Sequence, residues 1–224
     1  MGSSFQHVIL ILHMIHEILP VGMLQCNCSI LGDEGSHEAM VVDPGDEIDQ
    51  ILAILARHNL RVKTIVITHA HIDHIGGAKK LKEITGAPVY MNEQDLELYR
   101  HIDVQASWIG VPTPEATAID VMLREGDEIQ CGDIQATVMH TPGHTQGSVC
   151  LLLEGAPNKL LAGDTLFRES IGRTDLPGGD FAQIMRSLKE KLLALDDSTI
   201  VVPGHGPVTT IGHEREWNPF LQRL

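Results

Sequence analysis

A chain of 224 residues that is 43% hydrophobic and 21% charged can bury the core of one large domain or two small ones, which excludes disorder and a fibrous repeat. Sixteen Lys and Arg against 30 Asp and Glu leave a net charge of −14, which repels phosphate backbones and anionic lipid and argues against a nonspecific nucleic-acid binder. Four cysteines, Cys26, Cys28, Cys131 and Cys150, lack both disulfide density and C-x-x-C spacing, so a reducing compartment fits; histidine, at 13 copies, is the unusual residue.

The longest early apolar run, residues 8–15 interrupted by His13, falls well short of the roughly 20 residues of a membrane span. Residues 1–7 carry no Lys or Arg, and Pro20 follows a bulky Leu19, so no secretory signal is read and a cytoplasmic location is expected. Residues 1–13 are expected to be a disordered or cloning-derived extension, with an edge strand or dimer contact as the alternative. The first strand is expected from Ile15 to Pro20. Residues 23–31 and 38–43 read as a hairpin about the turn residues Gly32-Asp-Glu-Gly35, closed by Asp43-Pro-Gly45.

From Glu47 to Leu60 the apolar positions Ile48, Ile51, Leu52, Leu55 and Leu60 recur at helical spacing, with acidic residues in the first turn where the helix dipole favours them. Lys63–Thr68 is a buried-strand pattern, Gly76–Thr85 a short helix closed by Gly86 and Pro88, and Pro88–Met91 a strand. Residues 93–110 start helical and turn irregular, and Pro112 and Pro114 mark a loop. Strands follow at Ile134–Met139, Ser148–Leu153 and Lys159–Leu161. Phe181, Ile184, Met185, Leu188, Leu192 and Leu195 then line one face of a helix with Asp180 as its N-cap, and a last strand covers Thr199–Val202. Interleaved strands and helices without a linker make a single α/β domain.

The chemistry concentrates in Thr68-His-Ala-His-Ile-Asp-His-Ile-Gly-Gly77, directly after a strand and before a helix. In an extended loop His69 and His71 turn to the same side, while Asp73 and His74 face a second point nearby, a spacing suited to two adjacent cations. Gly76 and Gly77 permit a sharp bend beside the cluster, free of β-carbon clashes. His144, Asp164 and His205 lie at the ends of other predicted strands, where ligands gather in open α/β architectures. Imidazole and carboxylate donors suit zinc, with iron or manganese as the other fits, and Asp164 can bridge two ions. A water held between two such ions would ionise near neutral pH and serve as the nucleophile.

Taken singly, a histidine is more often a satisfied surface or core residue than a ligand, and that reading is applied to His7, His13, His16, His37, His58, His101 and His213. His140 ends the strand before Thr141-Pro142 and reads first as strand packing, with support of a ligand from behind as the alternative. Three histidines and an aspartate buried together without a cation would instead leave several polar groups unsatisfied, at about 1–3 kcal/mol each. Cys26 and Cys28 alternate on one strand face and read as small core residues.

At these residues the sequence resembles the metallo-β-lactamase superfamily, whose H-x-H-x-D-H signature is met by His69, His71, Asp73 and His74. The resemblance implies a four-layer αβ/βα sandwich over residues 14–224 with a dinuclear site at one edge of the sheets. It also implies that His69, His71 and His144 hold one ion, that Asp73, His74 and His205 hold the other, and that Asp164 bridges them. Thr141–Ser148, Gly163–Phe167, Gly172–Asp175 and Asn218–Leu221 are similar to short glyoxalase II-like hydrolases, which implies cleavage of a small-molecule thioester such as S-lactoylglutathione by a metal-bridging hydroxide, with Asp73 also handling a proton. Only residues 206–224 follow His205, where full-length glyoxalase II has a basic helical region for glutathione, so the thiol carrier is left open. Arg173 and Arg168 are candidates to meet a substrate carboxylate, with an Arg173–Asp175 ion pair as the structural alternative. A single-iron persulfide dioxygenase and a lactonase or β-lactamase are the rival activities. Partners other than the substrate are not expected, neither nucleic acid nor membrane, and the chain is expected to be a monomer or homodimer.

Overall fold

A computed structural model describes residues 14–223; the expected extension at 1–13 lies outside the described residues. The first half of the chain builds β1 (Met14–Val21), β2 (Cys26–Asp33), β3 (Glu38–Val42), α1 (Ile48–Arg57), β4 (Arg61–Val66), α2 (Ile72–Ile75), α3 (Ala78–Thr85), β5 (Val89–Asn92), α4 (Leu96–Arg100), α5 (Ile102–Ile109) and β6 (Val121–Leu123). The second half builds β7 (Glu128–Cys131), β8 (Ile134–His140), β9 (Val149–Leu153), β10 (Lys159–Gly163), the small hairpin β11 (Leu166–Phe167) and β12 (Ser170–Ile171), α6 (Phe181–Glu190), β13 (Ile200–Pro203), β14 (Thr209–Thr210) and α7 (Ile211–Trp217).

Two six-stranded sheets result, ordered β1-β2-β3-β4-β5-β6 and β14-β13-β10-β9-β8-β7. In the first, β3, β4, β5 and β6 run parallel; in the second, β10 and β13 do. Because alternate side chains of a strand point to opposite faces, each strand feeds two cores. Ile30, Val41 and Ile65 pack under α1 and α3 on the outside of the first sheet, whereas Leu31, Met40, Val42 and Val66 face the second sheet and meet Val138, Leu151, Leu161 and Val202. Cys150, Leu160, Ala162 and Val201 point the other way, onto Ile184 and Leu188 of α6. Both faces of both sheets are thus covered, which gives the expected four-layer αβ/βα sandwich. Fully buried side chains such as Ile65 and Leu160 each contribute about 1.5–3 kcal/mol of transfer free energy.

The differences from the sequence reading are local. β2 starts at Cys26, because residues 22–25 form the turn from β1, and it runs through Gly32 and Asp33, which pair with β1 instead of turning. β6 and β7 are additional to the expected strands: β6 has three residues, and β7 is a Glu-Ile-Gln-Cys alternation joined to β8 through Gly132-Asp133, with Gly132 at φ 56°. Residues 96–109 are helical nearly throughout, and β13 is not the last element, because β14 and α7 follow it. Asp180 does cap α6, accepting from Gln183 N at 2.9 Å. Gly76 and Gly77 have right-handed helical φ and ψ, so no unusual bend requires them. Close backbone contacts require them instead: a β-carbon at Gly76 would lie 2.8 Å from Gly45 O and one at Gly77 2.5 Å from Pro44 O, and at Gly45 itself only 1.6 Å from Asp73 O. Among the described residues no helix is long and apolar enough to cross a membrane.

Candidate functional site

The carboxyl ends of β3, β4, β10 and β13 reach the same edge of the sandwich, and the loop after β8 joins them there. Asn27 N donates to Gly204 O at 2.7 Å and Val149 N to Thr68 O at 2.9 Å, tying the two sheets together along that edge. All seven residues read as ligands from the sequence converge at this seam.

Three imidazole nitrogens form a near-equilateral triangle: His69 Nε2 to His71 Nδ1 is 3.0 Å, His71 Nδ1 to His144 Nε2 2.9 Å, and His144 Nε2 to His69 Nε2 3.2 Å. Beside it, His205 Nε2 is 3.3 Å from His74 Nε2 and 3.1 Å from Asp73 Oδ2. Asp164 stands between the halves, with Oδ1 3.4 Å from His74 Nε2 and Oδ2 3.6 Å from His144 Nε2 and 3.8 Å from His205 Nε2. Donors about 2.0–2.2 Å from a tetrahedral ion stand about 3.3–3.6 Å from one another; the separations of His74 from His205 and of Asp164 from His74 and His144 match that spacing, and the three-nitrogen triangle is a few tenths of an ångström tighter.

In four of the five rings the remaining nitrogen shows why the ring points inward. His144 Nδ1 donates to Arg173 O at 2.8 Å, His205 Nδ1 to Leu24 O at 2.9 Å, and His74 Nδ1 to Asp43 Oδ2 at 2.9 Å. His69 Nδ1 lies 3.1 Å from Thr68 Oγ1, whose own hydroxyl donates to Asp43 Oδ2 at 2.7 Å. Four Nε2 lone pairs are thereby presented to the seam, since outer hydrogen bonds fix both tautomer and ring angle. Asp43, which the sequence reading treated only as the end of a strand, anchors both His74 and Thr68, and its burial beside histidines was not visible in one dimension.

Asp95, also not anticipated, accepts from Ala70 N at 2.9 Å, from Thr145 Oγ1 at 2.8 Å and from Gly147 N at 2.6 Å. It therefore links the loop of His69 and His71 to the loop of His144. Gln105 on α5 accepts from Ile72 N at 2.9 Å and donates to Ala70 O at 3.1 Å, holding the same loop from outside.

The electrostatics suit a cation. Burial, helped by neighbouring imidazoles, pushes His69 well below its ordinary pKa and His71 down to about 3, so both are neutral donors. Burial opposes charge on Asp73 and Asp164, yet the surrounding imidazoles, His74 foremost, hold both carboxyls below the usual range. His74 is shifted the other way: burial opposes its protonation, but Cys26 and the carboxylates of Asp164, Asp73 and Asp43 raise it. The Cys26 thiol, 3.4 Å from His74 Nδ1, is itself pushed up by burial to about 12 and stays neutral, so the carboxylates carry that effect. Asp164 Oδ1 and His71 Nε2 are buried without a hydrogen-bond partner. The neutral imidazoles of His69 and His71, the ionised carboxylates of Asp73 and Asp164 and an unpartnered carboxylate oxygen at the centre fit a pair of divalent cations.

The remaining candidates separate clearly. Arg173 lines the cleft above the site, but its guanidinium pairs with Asp175 through two contacts of 2.8 Å. Arg168 does not line it; the β11–β12 turn carries its half-exposed side chain to Glu169, so closeness to Asp164 in sequence does not become closeness to the cleft. His16, His58, His101 and His213 find partners in Ser29, Glu17, Glu97 and Glu169, away from the seam. His140 closes the His144 loop by bonding Gln146 O at 2.8 Å. Cys26 and Cys28 are fully buried in the core beneath α1.

A sandwich with a two-cation donor set at its seam defines a metallohydrolase scaffold. The metallo-beta-lactamase superfamily profile matches residues 21–205, and the chain belongs to that superfamily. Hydroxyacylglutathione hydrolase GloC of Haemophilus influenzae is 37% identical over 207 residues, covering 92% of this chain and 97% of that protein. Among solved structures, the BLEG-1 B3 metallo-beta-lactamase is 36% identical with a TM-score of 0.86, covering 92% of this chain and 99% of its own. TTHA1623, solved in a di-iron-bound form, is 40% identical with a TM-score of 0.81, covering 92% and 100%.

Proposed function

We propose that this metallohydrolase cleaves thioesters of the hydroxyacyl type, S-lactoylglutathione among them, with water as the second substrate and a carboxylic acid and a free thiol as products. The observation that carries the reading is the pair of adjoining donor sets sharing Asp164, because one closed four-ligand site would serve structure and two adjoining open ones serve hydrolysis. His69, His71 and His144 would hold one divalent cation and Asp73, His74 and His205 the other, zinc or iron; the GloC relative supports the substrate class and TTHA1623 supports iron. Bound there, the cations supply Lewis acidity and make a water molecule acidic enough to attack at neutral pH.

The chain's own residues do the rest. Asp73 and His205 sit 3.1 Å apart at the floor of a cleft of about 640 Å³, where the carboxylate can orient water and accept its proton. Leu24, Ile72, Ile109 and Leu176 line the same cleft and exclude bulk water from the reacting carbonyl, while Arg173 stands at its wall, neutralised by Asp175. The charge of −14 disfavours RNA as a substrate, and a small molecule is the partner proposed.

Metal analysis is expected to find close to two ions per chain, and His69→Ala to lose both metal and hydrolysis. Turnover of lactoyl thioesters is compared with that of a lactone, a β-lactam and glutathione persulfide under oxygen. Full thioesterase activity in His69→Ala, or turnover only of a rival substrate, overturns the assignment.

A further inference from the structure

A second cavity of about 390 Å³ lies against the catalytic cleft, and Gln105 and Trp108 of α5 line both. Its wall is built by Leu98, Val104, Trp108 and Pro177, with Gly178 beside them. Trp108 is 54% exposed and Val104 40%, an apolar surface that folding alone leaves uncovered. Among the described residues that line this cavity none is Lys or Arg. Its charged groups are already engaged: Glu97 bonds His101 at 3.2 Å and Arg100 at 2.8 Å, and Asp95 at the floor holds the two ligand loops. The cleft itself contributes one cation, Arg173, paired with Asp175.

The geometry points to this cavity as the binding site of an apolar acyl chain. The inference rests on the thioester reading above and deepens it. Thiol carriers of acyl groups are polar chains bearing carboxylates or phosphates, and an apolar pocket with no free cation gives them nothing to pair with. The hydrocarbon arm of a thioester is its acyl chain, and a carbonyl held over the seam beside His144 can send that chain past Gln105 and Trp108 into the pocket. Trp108 is then the specificity-determining residue, the shared wall against which the chain packs. Lactoyl and acetyl groups end within the cleft, and medium chains extend beyond it.

The test is a homologous series of saturated acyl thioesters, acetyl to decanoyl, on one neutral carrier, N-acetylcysteamine, with the zinc-loaded protein. Burying each further methylene is expected to raise kcat/KM by about fourfold until the pocket is filled. In Val104→Asp and Trp108→Ala the octanoyl-to-acetyl ratio falls at least tenfold, whereas Phe181→Asp, exposed on α6, keeps the wild-type ratio. Binding supplies a second readout: octanamide quenches the fluorescence of Trp108 in a Trp217→Phe background, with or without metal. Hydrolysis of every chain length at one rate, together with no quenching, overturns the acyl pocket while leaving the thioesterase reading intact. Failure to cleave any thioester overturns both, and selectivity for the thiol side at constant acyl group reassigns the cavity to the carrier and overturns the inference.

Discussion

Replacing Asp95 by alanine tests whether the site is held by residues that touch no ligand. The carboxylate accepts two backbone amides, Ala70 N and Gly147 N, and the Thr145 hydroxyl. Thr145 Oγ1 also lies 2.8 Å from Ser148 Oγ and can redirect its proton, but Ala70 and Gly147 are buried and both of their amides bond to Asp95. Each orphaned amide costs about 1–3 kcal/mol, so the variant should lose about 2–6 kcal/mol of folding free energy. The amides belong to the loops of His69, His71 and His144, so the strain falls on the three-nitrogen triangle, and metal affinity should drop by tenfold or more. Asp95→Asn keeps the shape and one acceptor oxygen but sets an NH2 group against the other amide, and should lose about half as much. Urea unfolding of the metal-free protein gives the stability change, and competition with a chromophoric chelator gives the affinity. A variant within about 0.5 kcal/mol of wild type that binds metal with native affinity would refute the assignment of Asp95 as the tie between the loops.

Gly204→Ala places a β-carbon 2.2 Å from Asp164 Oδ1 and 2.8 Å from His74 Cε1, so the shared carboxylate must move; metal titration should show weakened or single-ion binding, with a stability loss of about 1–3 kcal/mol. Native stoichiometry and affinity in that variant would mean Asp164 does not serve both halves. His16 on β1 has its pKa lowered to about 4, first by burial and then by Lys159, from an unfolded value of 6.5. The unfolded chain therefore takes up a proton that the folded one refuses between those values. Stability from this residue is complete above pH 6.5 and falls as pH drops toward 4, by on the order of 2–3 kcal/mol. The unfolding free energies of wild type and His16→Gln should change between pH 7 and 4 by amounts that differ by about 2–3 kcal/mol, and parallel pH dependences would remove His16 as the cause.

Local chemistry made much of this protein legible in one dimension. The apolar spacing of Ile48, Ile51 and Leu55, the Asp180 cap and the Thr68–Gly77 cluster depend on neighbours within a few residues, and those features stand where the sequence puts them. What failed to show were elements whose stability is tertiary: three-residue β6 exists because β5 offers it a parallel edge, and β14 because β13 offers it an antiparallel one. The reason for Gly45, Gly76 and Gly77 is likewise a contact between segments distant in the chain, not a backbone angle. Only the folded chain brings His144, Asp164 and His205 from three separate loops to His69–His74. Asp43 and Asp95, buried acceptors with unremarkable local sequence, acquire their roles solely from what the sandwich packs beside them, because a hydrogen bond across 25 or more residues leaves no periodic trace.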